Sequence, residues 1–271
     1  MKRACFFAMA CFPAACGAWS DATALLDQGY RAMYDLRFDE AHQAFRRWQE
    51  VHPEDPLGPV SDAAAYLFTE FDRMHILQSE FFATDQSFMA RRAVAPDLQL
   101  KRAFEAALER SRQLADPTLA RSPADENALF ASVLGRGLHS DYLALVEKRY
   151  LFSFREMKEA RMLAEKLLAA NHGYYDAYLA VGVENYLLSL KPAPVRWLLR
   201  AGGARIDKQQ GLARLRLTAE HGHYLVPFAR LLLAVAALRD NDLGHARELL
   251  RELAAEFPRN PLFAQELARL H

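Results

Sequence analysis

Two histidine-bearing segments hold the side chains of this 271-residue chain that come nearest to a reactive set. His139-Ser140-Asp141 has the residue types of a hydrolytic triad: a base, a hydroxyl nucleophile and an acid that orients the base. A working triad assembles these groups from separate parts of a chain. Here they are merely neighbours in sequence, so the match is one of residue types alone. Glu220-His221-Gly222-His223 offers two imidazoles and a carboxylate in a turn, part of the ligand set of a zinc site. No further ligand is spaced to complete it, and a polar turn between helices is expected instead. The chain contains no Gly-rich phosphate loop, His-Glu-x-x-His helix, nucleophile elbow or calcium loop. Catalysis, a metal, a cofactor and a small-molecule substrate are therefore not expected. A hydrolase would need His139, or His221 with His223, to converge with a carboxylate in a pocket.

Charge singles out a different stretch. Residues 191–216 carry Lys191, Arg196, Arg200, Arg205, Lys208, Arg214 and Arg216 against the single acid Asp207, a local net charge of +6. The whole chain balances 34 basic against 34 acidic residues, which argues against a nucleic-acid binder. Pro192 to Pro194 open a short helix in which Trp197, Leu198 and Leu199 lie beside Arg196 and Arg200, and Gly202-Gly203 end it. Such a segment suits an acidic peptide, an anionic lipid surface, or the capping of a seam between helices.

The N-terminus reads as a secretory signal peptide, residues 1–18. Met1-Lys2-Arg3 is a positive start, Ala4 to Ala15 is apolar apart from Pro13, and small residues follow at Gly17 and Ala18. The run is too short for a membrane span, which takes ~20 apolar residues. Cys5, Cys11 and Cys16 all fall within it, so a cut after Ala18 leaves no cysteine and 32 basic against 34 acidic residues. In the competing reading, Pro13-Ala14-Ala15-Cys16 is a lipoprotein site and Cys16 carries lipid at a bacterial envelope membrane. Either reading places the protein outside the cytoplasm, in the periplasm or cell envelope.

Elements that position these residues are helical throughout 19–271. With 52% hydrophobic residues the chain has the means to bury a core. Apolar residues recur at steps of three and four, as at Phe38, Ala41, Phe45 and Trp48, and no stretch alternates with period two. Breakers such as Pro53, Pro96, Asp116-Pro117, Gly173, Gly202-Gly203, Gly222 and Pro258 delimit helices at 21–36, 38–51, 59–90, 97–115, 123–147, 151–171, 174–190, 207–221, 224–239, 242–257 and 260–270. Phe68, Phe71, His75 and Phe82 share one face of the long helix, with Tyr66, Phe81 and Phe88 nearby, as core packing requires.

Several neighbouring helices repeat one pattern. Ala41 precedes Phe45, Trp48 and Pro53 at the same steps by which Ala246 precedes Leu250, Leu253 and Pro258. Glu159-Ala160 with Ala164 and Leu167 repeats it, and Ala213 with Leu217 follows more loosely. Leu25, Gly29 and Ala32, and later Tyr178 with Gly182, fit the helix that precedes such a unit. This spacing resembles the tetratricopeptide repeat (TPR), a helix–turn–helix unit of ~34 residues, most closely at 22–56 and 224–262. The resemblance implies an all-α, right-handed α-solenoid of stacked antiparallel helix pairs, about eleven helices in all, that receives a protein or peptide partner in its concave groove. On that reading Tyr178, Tyr186, Arg196, Trp197 and Arg200 are the expected contacts. Peripheral attachment to an envelope membrane, through Cys16 or residues 191–216, is the alternative.

Overall fold

A computed structural model describes residues 18–77, 94–189 and 207–270, with side chains from residue 24 onward. The three cysteines, Phe81, Phe82 and Phe88, and the expected contacts Arg196, Trp197 and Arg200 lie outside these residues. The described residues form eleven α-helices: α1 (Ala18–Tyr34), α2 (Phe38–Val51), α3 (Leu57–Arg73), α4 (Leu98–Arg121), α5 (Glu126–Asp141), α6 (Tyr150–Ala170), α7 (Tyr178–Ser189), α8 (Lys208–His221), α9 (Val226–Arg239), α10 (Leu243–Glu256) and α11 (Pro261–Arg269). A π-helical turn, Tyr142–Val146, extends α5, and a 3-10 turn, Tyr175–Ala177, leads into α7. No strand occurs among the described residues, so the chain is all-α. None of the described helices is long and apolar enough to cross a membrane.

Local chemistry sets the helix ends. Asp97, Asp125, Asp207, Asp242 and Asn260 accept hydrogen bonds from the first-turn N–H groups of α4, α5, α8, α10 and α11, and Pro261 occupies the first position of α11, where a missing N–H costs nothing. Four helical stretches end on a non-glycine residue in the left-handed region: Leu36 at φ 58°, His75 at 57°, Lys148 at 58° and Asn241 at 59°. After α1, α3 and α9 the following N–H bonds back across the turn, as in Arg37 N to Ala32 O at 2.8 Å, Ile76 N to Phe71 O at 2.7 Å and Asp242 N to Ala237 O at 2.9 Å.

Each helix packs on the next where both are described, and α1 also touches α3, and α3 touches α5. Small residues allow two of these crossings. A Cβ on Gly29 of α1 would lie 2.3 Å from the Phe45 ring of α2, and one on Gly211 of α8 would lie 2.7 Å from the Tyr186 backbone nitrogen of α7. Phe45, Phe130, Phe257, Leu167, Leu215 and Leu250 are fully buried in one core that runs from Leu26 to Phe263. A smaller core joins Leu67, Phe71, Ile76, Phe104, Tyr142 and Val146.

The first helix also meets the far end of the chain. Tyr30 stacks on Tyr224 at 4.7 Å, the Tyr34 hydroxyl donates to the Tyr224 carbonyl at 3.1 Å, and Tyr34 lies against Phe257 at 5.6 Å. Asn260 donates to the Tyr34 carbonyl at 2.9 Å, and Asp35 accepts from the Arg259 N–H at 2.9 Å. Phe68 of α3 and Phe130 of α5 join the same ring cluster through Phe228 and Tyr224, at 6.1 and 6.4 Å. Rings of the chain itself thus fill the space where α1, α3 and α5 meet residues 224–257.

Two sequence expectations are corrected. The helix expected over 59–90 ends at Arg73, because His75 takes a left-handed conformation; His75 therefore does not share a helical face with Phe68 and Phe71. Asp116-Pro117, read as a breaker, lies inside α4. Pro117 is exposed, so the carbonyl of exposed Gln113, which loses its intrahelical donor, is left facing water.

Candidate functional site

A concavity lies over α5. Helices α4 and α6, of 24 and 21 residues, both pack on the 16-residue α5 and overhang it, leaving a groove of about 1040 Å³. Its floor is Ser132, Gly135, Arg136 and His139 of α5, with Leu108, Leu119, Met162 and Leu163 supplying apolar surface from the sides. The α4 wall presents Glu105, Glu109 and Asp116, and the α6 wall presents Arg155, Lys158 and Lys166. Arg136 binds Glu156 at 2.9 Å and Glu159 at 3.3 Å, so the floor is neutralised from within. On the α4 wall Arg112 bridges Glu109 at 2.8 Å and Asp116 at 3.2 Å. Hydrogen bonds from Arg112 and Gln113 hold the Glu109 carboxyl below its ordinary range, so it stays ionised on the wall.

The candidate triad residues point three ways. His139 faces this groove with its Nδ1 3.5 Å from Glu156 Oε1, so an imidazole and a carboxylate do meet there. Ser140 turns away: its Oγ is buried and donates to the Ser153 carbonyl of α6 at 3.0 Å. Asp141 is half-buried at the end of α5, where loss of hydration pushes its carboxyl up to about 7. The nucleophile and the acid of the sequence triplet thus join neither the base nor each other.

His221 and His223 also part. His221 lies against the Tyr175 ring at 4.9 Å, whereas His223 Nε2 is 2.7 Å from Asp27 Oδ1 of α1. No group of three or more His, Cys, Asp and Glu side chains placed to hold a metal ion occurs among the described residues. The carboxylate that organises this turn is Asp176, which composition and spacing had not singled out. It accepts from the N–H groups of His223 at 3.0 Å, Tyr224 at 3.1 Å and Leu225 at 3.1 Å. Burial pushes its carboxyl above the ordinary range, and the three N–H donors oppose that shift. The segment that stacks on α1 is therefore held by one buried side chain.

Of the expected partner contacts, two fall in the described residues. Tyr186 is only 2% exposed, so the expectation of a surface contact there is corrected: its ring packs in the core where α7 crosses α8. Tyr178 is half-buried at the surface; the Arg214 guanidinium covers its ring at 5.1 Å, its hydroxyl donates to the His172 carbonyl at 3.3 Å, and Tyr175 lies 6.2 Å away. Tyr175, Tyr178, Arg214 and His221 form a continuous surface of rings and charge across α7 and α8. No protein-family model matches the chain, and neither a curated protein nor a solved structure is similar to it.

Proposed function

We propose that this protein is a non-enzymatic, TPR-like scaffold of the cell envelope: helix pairs stacked as a right-handed solenoid that hold a protein or peptide partner. One observation carries the reading, the recurrence of a single helix-pair design. The left-handed residues Leu36, Lys148 and Asn241 are each followed two positions later by an apolar residue that opens the second helix of a pair, Phe38, Tyr150 and Leu243. Five positions after each stands a small residue buried in the pair, Ala41, Ser153 and Ala246. Equal turns at equal steps, with α1 on α3 and α3 on α5, are what stacked repeats require.

Tyr30, Phe68, Tyr224 and Phe228 pack on one another where α1 and α3 meet the later helices, which leaves no seat for a partner among them. We assign the partner seat to Tyr175, Tyr178, Arg214 and His221, of which Arg214 belongs to the basic stretch 191–216. Rings with a guanidinium above them suit an acidic or aromatic peptide. A photo-crosslinking residue placed at Tyr178 or Arg214 in the native cell is expected to trap a discrete protein adduct, and one at exposed Arg251 of α10 is not. Equal labelling at the three positions, or none at Tyr178 and Arg214, overturns the reading.

A further inference from the structure

We propose that the groove between α4 and α6 is an interface between two copies of this chain. Its walls differ in charge: α4 brings Glu105, Glu109 and Asp116, paired within the helix to Lys101 at 3.6 Å and to Arg112, and α6 brings Arg155, Lys158 and Lys166 with Glu156 and Glu159. Glu156 and Glu159 are engaged with the floor residue Arg136, and Arg155 reaches Glu159 at 3.5 Å, so Lys158 and Lys166 carry the positive charge of the α6 wall. A two-fold axis running along the groove lays the acidic wall of each copy over the basic wall of the other. The contact is then isologous, the same patch on both subunits, and it is self-complementary. A partner of one charge would meet one favourable wall and one repulsive wall.

Exposed apolar side chains lie at the start of α6 and in the groove. Tyr150, Leu151 and Phe152 at the start of α6 are 53%, 85% and 54% exposed, and Met162 inside the groove is 55% exposed. Large apolar groups clustered in this way mark association surfaces more often than scattered ones do. The same axis lays the start of each α6 over the start of α4 of the other copy, at one end of the interface. At 1.5 Å per residue α4 and α6 extend about 36 and 32 Å, and a face two helices wide projects on the order of 600 Å² before side-chain relief is counted. That approaches the ~800 Å² per partner of a stable interface.

The test uses the purified chain in sedimentation and light scattering from low to tens of micromolar. The wild type is expected to be a dimer. Glu105→Lys with Glu109→Lys makes both walls basic, and Lys158→Glu with Lys166→Glu makes both walls acidic. Each double variant is expected to dissociate at least tenfold more readily while keeping its circular dichroism spectrum and melting temperature. An equimolar mixture of the two is expected to recover the dimer, because every wall then faces its opposite. A wild type that stays monomeric throughout overturns the proposal and leaves the groove to a different protein. Two variants that fail to associate when mixed overturn the charge pairing.

Discussion

Replacing Gly211 by alanine is expected to destabilise the protein, although alanine is the better helix former. In a helix interior the substitution alone contributes about 1 kcal/mol of stability. Against that, the new Cβ would stand 2.7 Å from Tyr186 N, 3.0 Å from Gly182 O and 3.1 Å from Tyr186 Cα. Carbon needs roughly 3.5–4.0 Å from its neighbours, and all three are backbone atoms that no rotamer change can move aside. Helices α7 and α8 must therefore separate, which loosens the packing around Leu215, Leu212 and Val181. Overpacking of this kind costs about 3 kcal/mol, the upper end of its usual range, leaving a net loss of about 2 kcal/mol. For a chain of this size that lowers the melting temperature by about 4–8 °C. Gly182→Ala meets the Gly211 carbonyl and the movable Leu215 side chain at 3.0 Å, and about 1 kcal/mol of loss is expected. Gly137→Ala, in α5 with nothing within 4 Å of the new Cβ, is the control and should raise the melting temperature by about 2–4 °C. Thermal unfolding followed by far-ultraviolet circular dichroism ranks the three. If Gly211→Ala stabilises as much as Gly137→Ala, the close crossing of α7 and α8 is wrong.

The Asp141 carboxyl, pushed up to about 7, favours the protonated form in the fold. The unfolded chain releases this proton near pH 4 and the fold only near 7, so this contribution is whole below about 4 and is lost as pH rises to 7, by about 4 kcal/mol at most. Asp141→Asn should leave stability at pH 4 nearly unchanged and gain on the wild type as pH rises; parallel denaturation curves across that window would refute the assignment. Asp176→Ala strips three N–H groups of their acceptor, each at about 1–3 kcal/mol where buried. Faster hydrogen exchange at His223, Tyr224 and Leu225, with a lower melting temperature, is expected, and unchanged exchange at those amides would contradict the clamp.

Helix α2 was legible to the residue because Phe38, Ala41, Phe45 and Trp48 keep one period and Pro53 follows. The end of α3 was not, since the signal for a left-handed turn is glycine or asparagine and the chain uses His75. The alanine pattern in α6 is read at Ala160, and Ala160, Ala164 and Leu167 are all buried; counted from the turn at Lys148, a second small buried residue, Ser153, stands nearer the start of the helix. The seven-residue difference is two helical turns, the amount by which α6, with 21 residues, outruns the 14 of α2 and α10. Tyr178 and His139 were visible as candidates in the sequence, and both lie on surfaces of interest. The charged walls of the groove were not, because their division by sign depends on how α4 and α6 are rotated over a third helix, and no local spacing records that.

The meeting of α1 with residues 223–260 has a cost in time. In an open array each unit is complete once its neighbour is made, and folding can start anywhere. Here Tyr34 must wait for Tyr224, 190 residues later, before its hydroxyl finds an acceptor. At synthesis rates of 5–20 residues per second the delay is roughly 10–40 s, during which the apolar side of α1 lacks its last cover. Contacts of such long range slow folding, so closing the ends should be the late step. It also fixes the count of units, since a duplicated or deleted pair would carry the first helix away from the last.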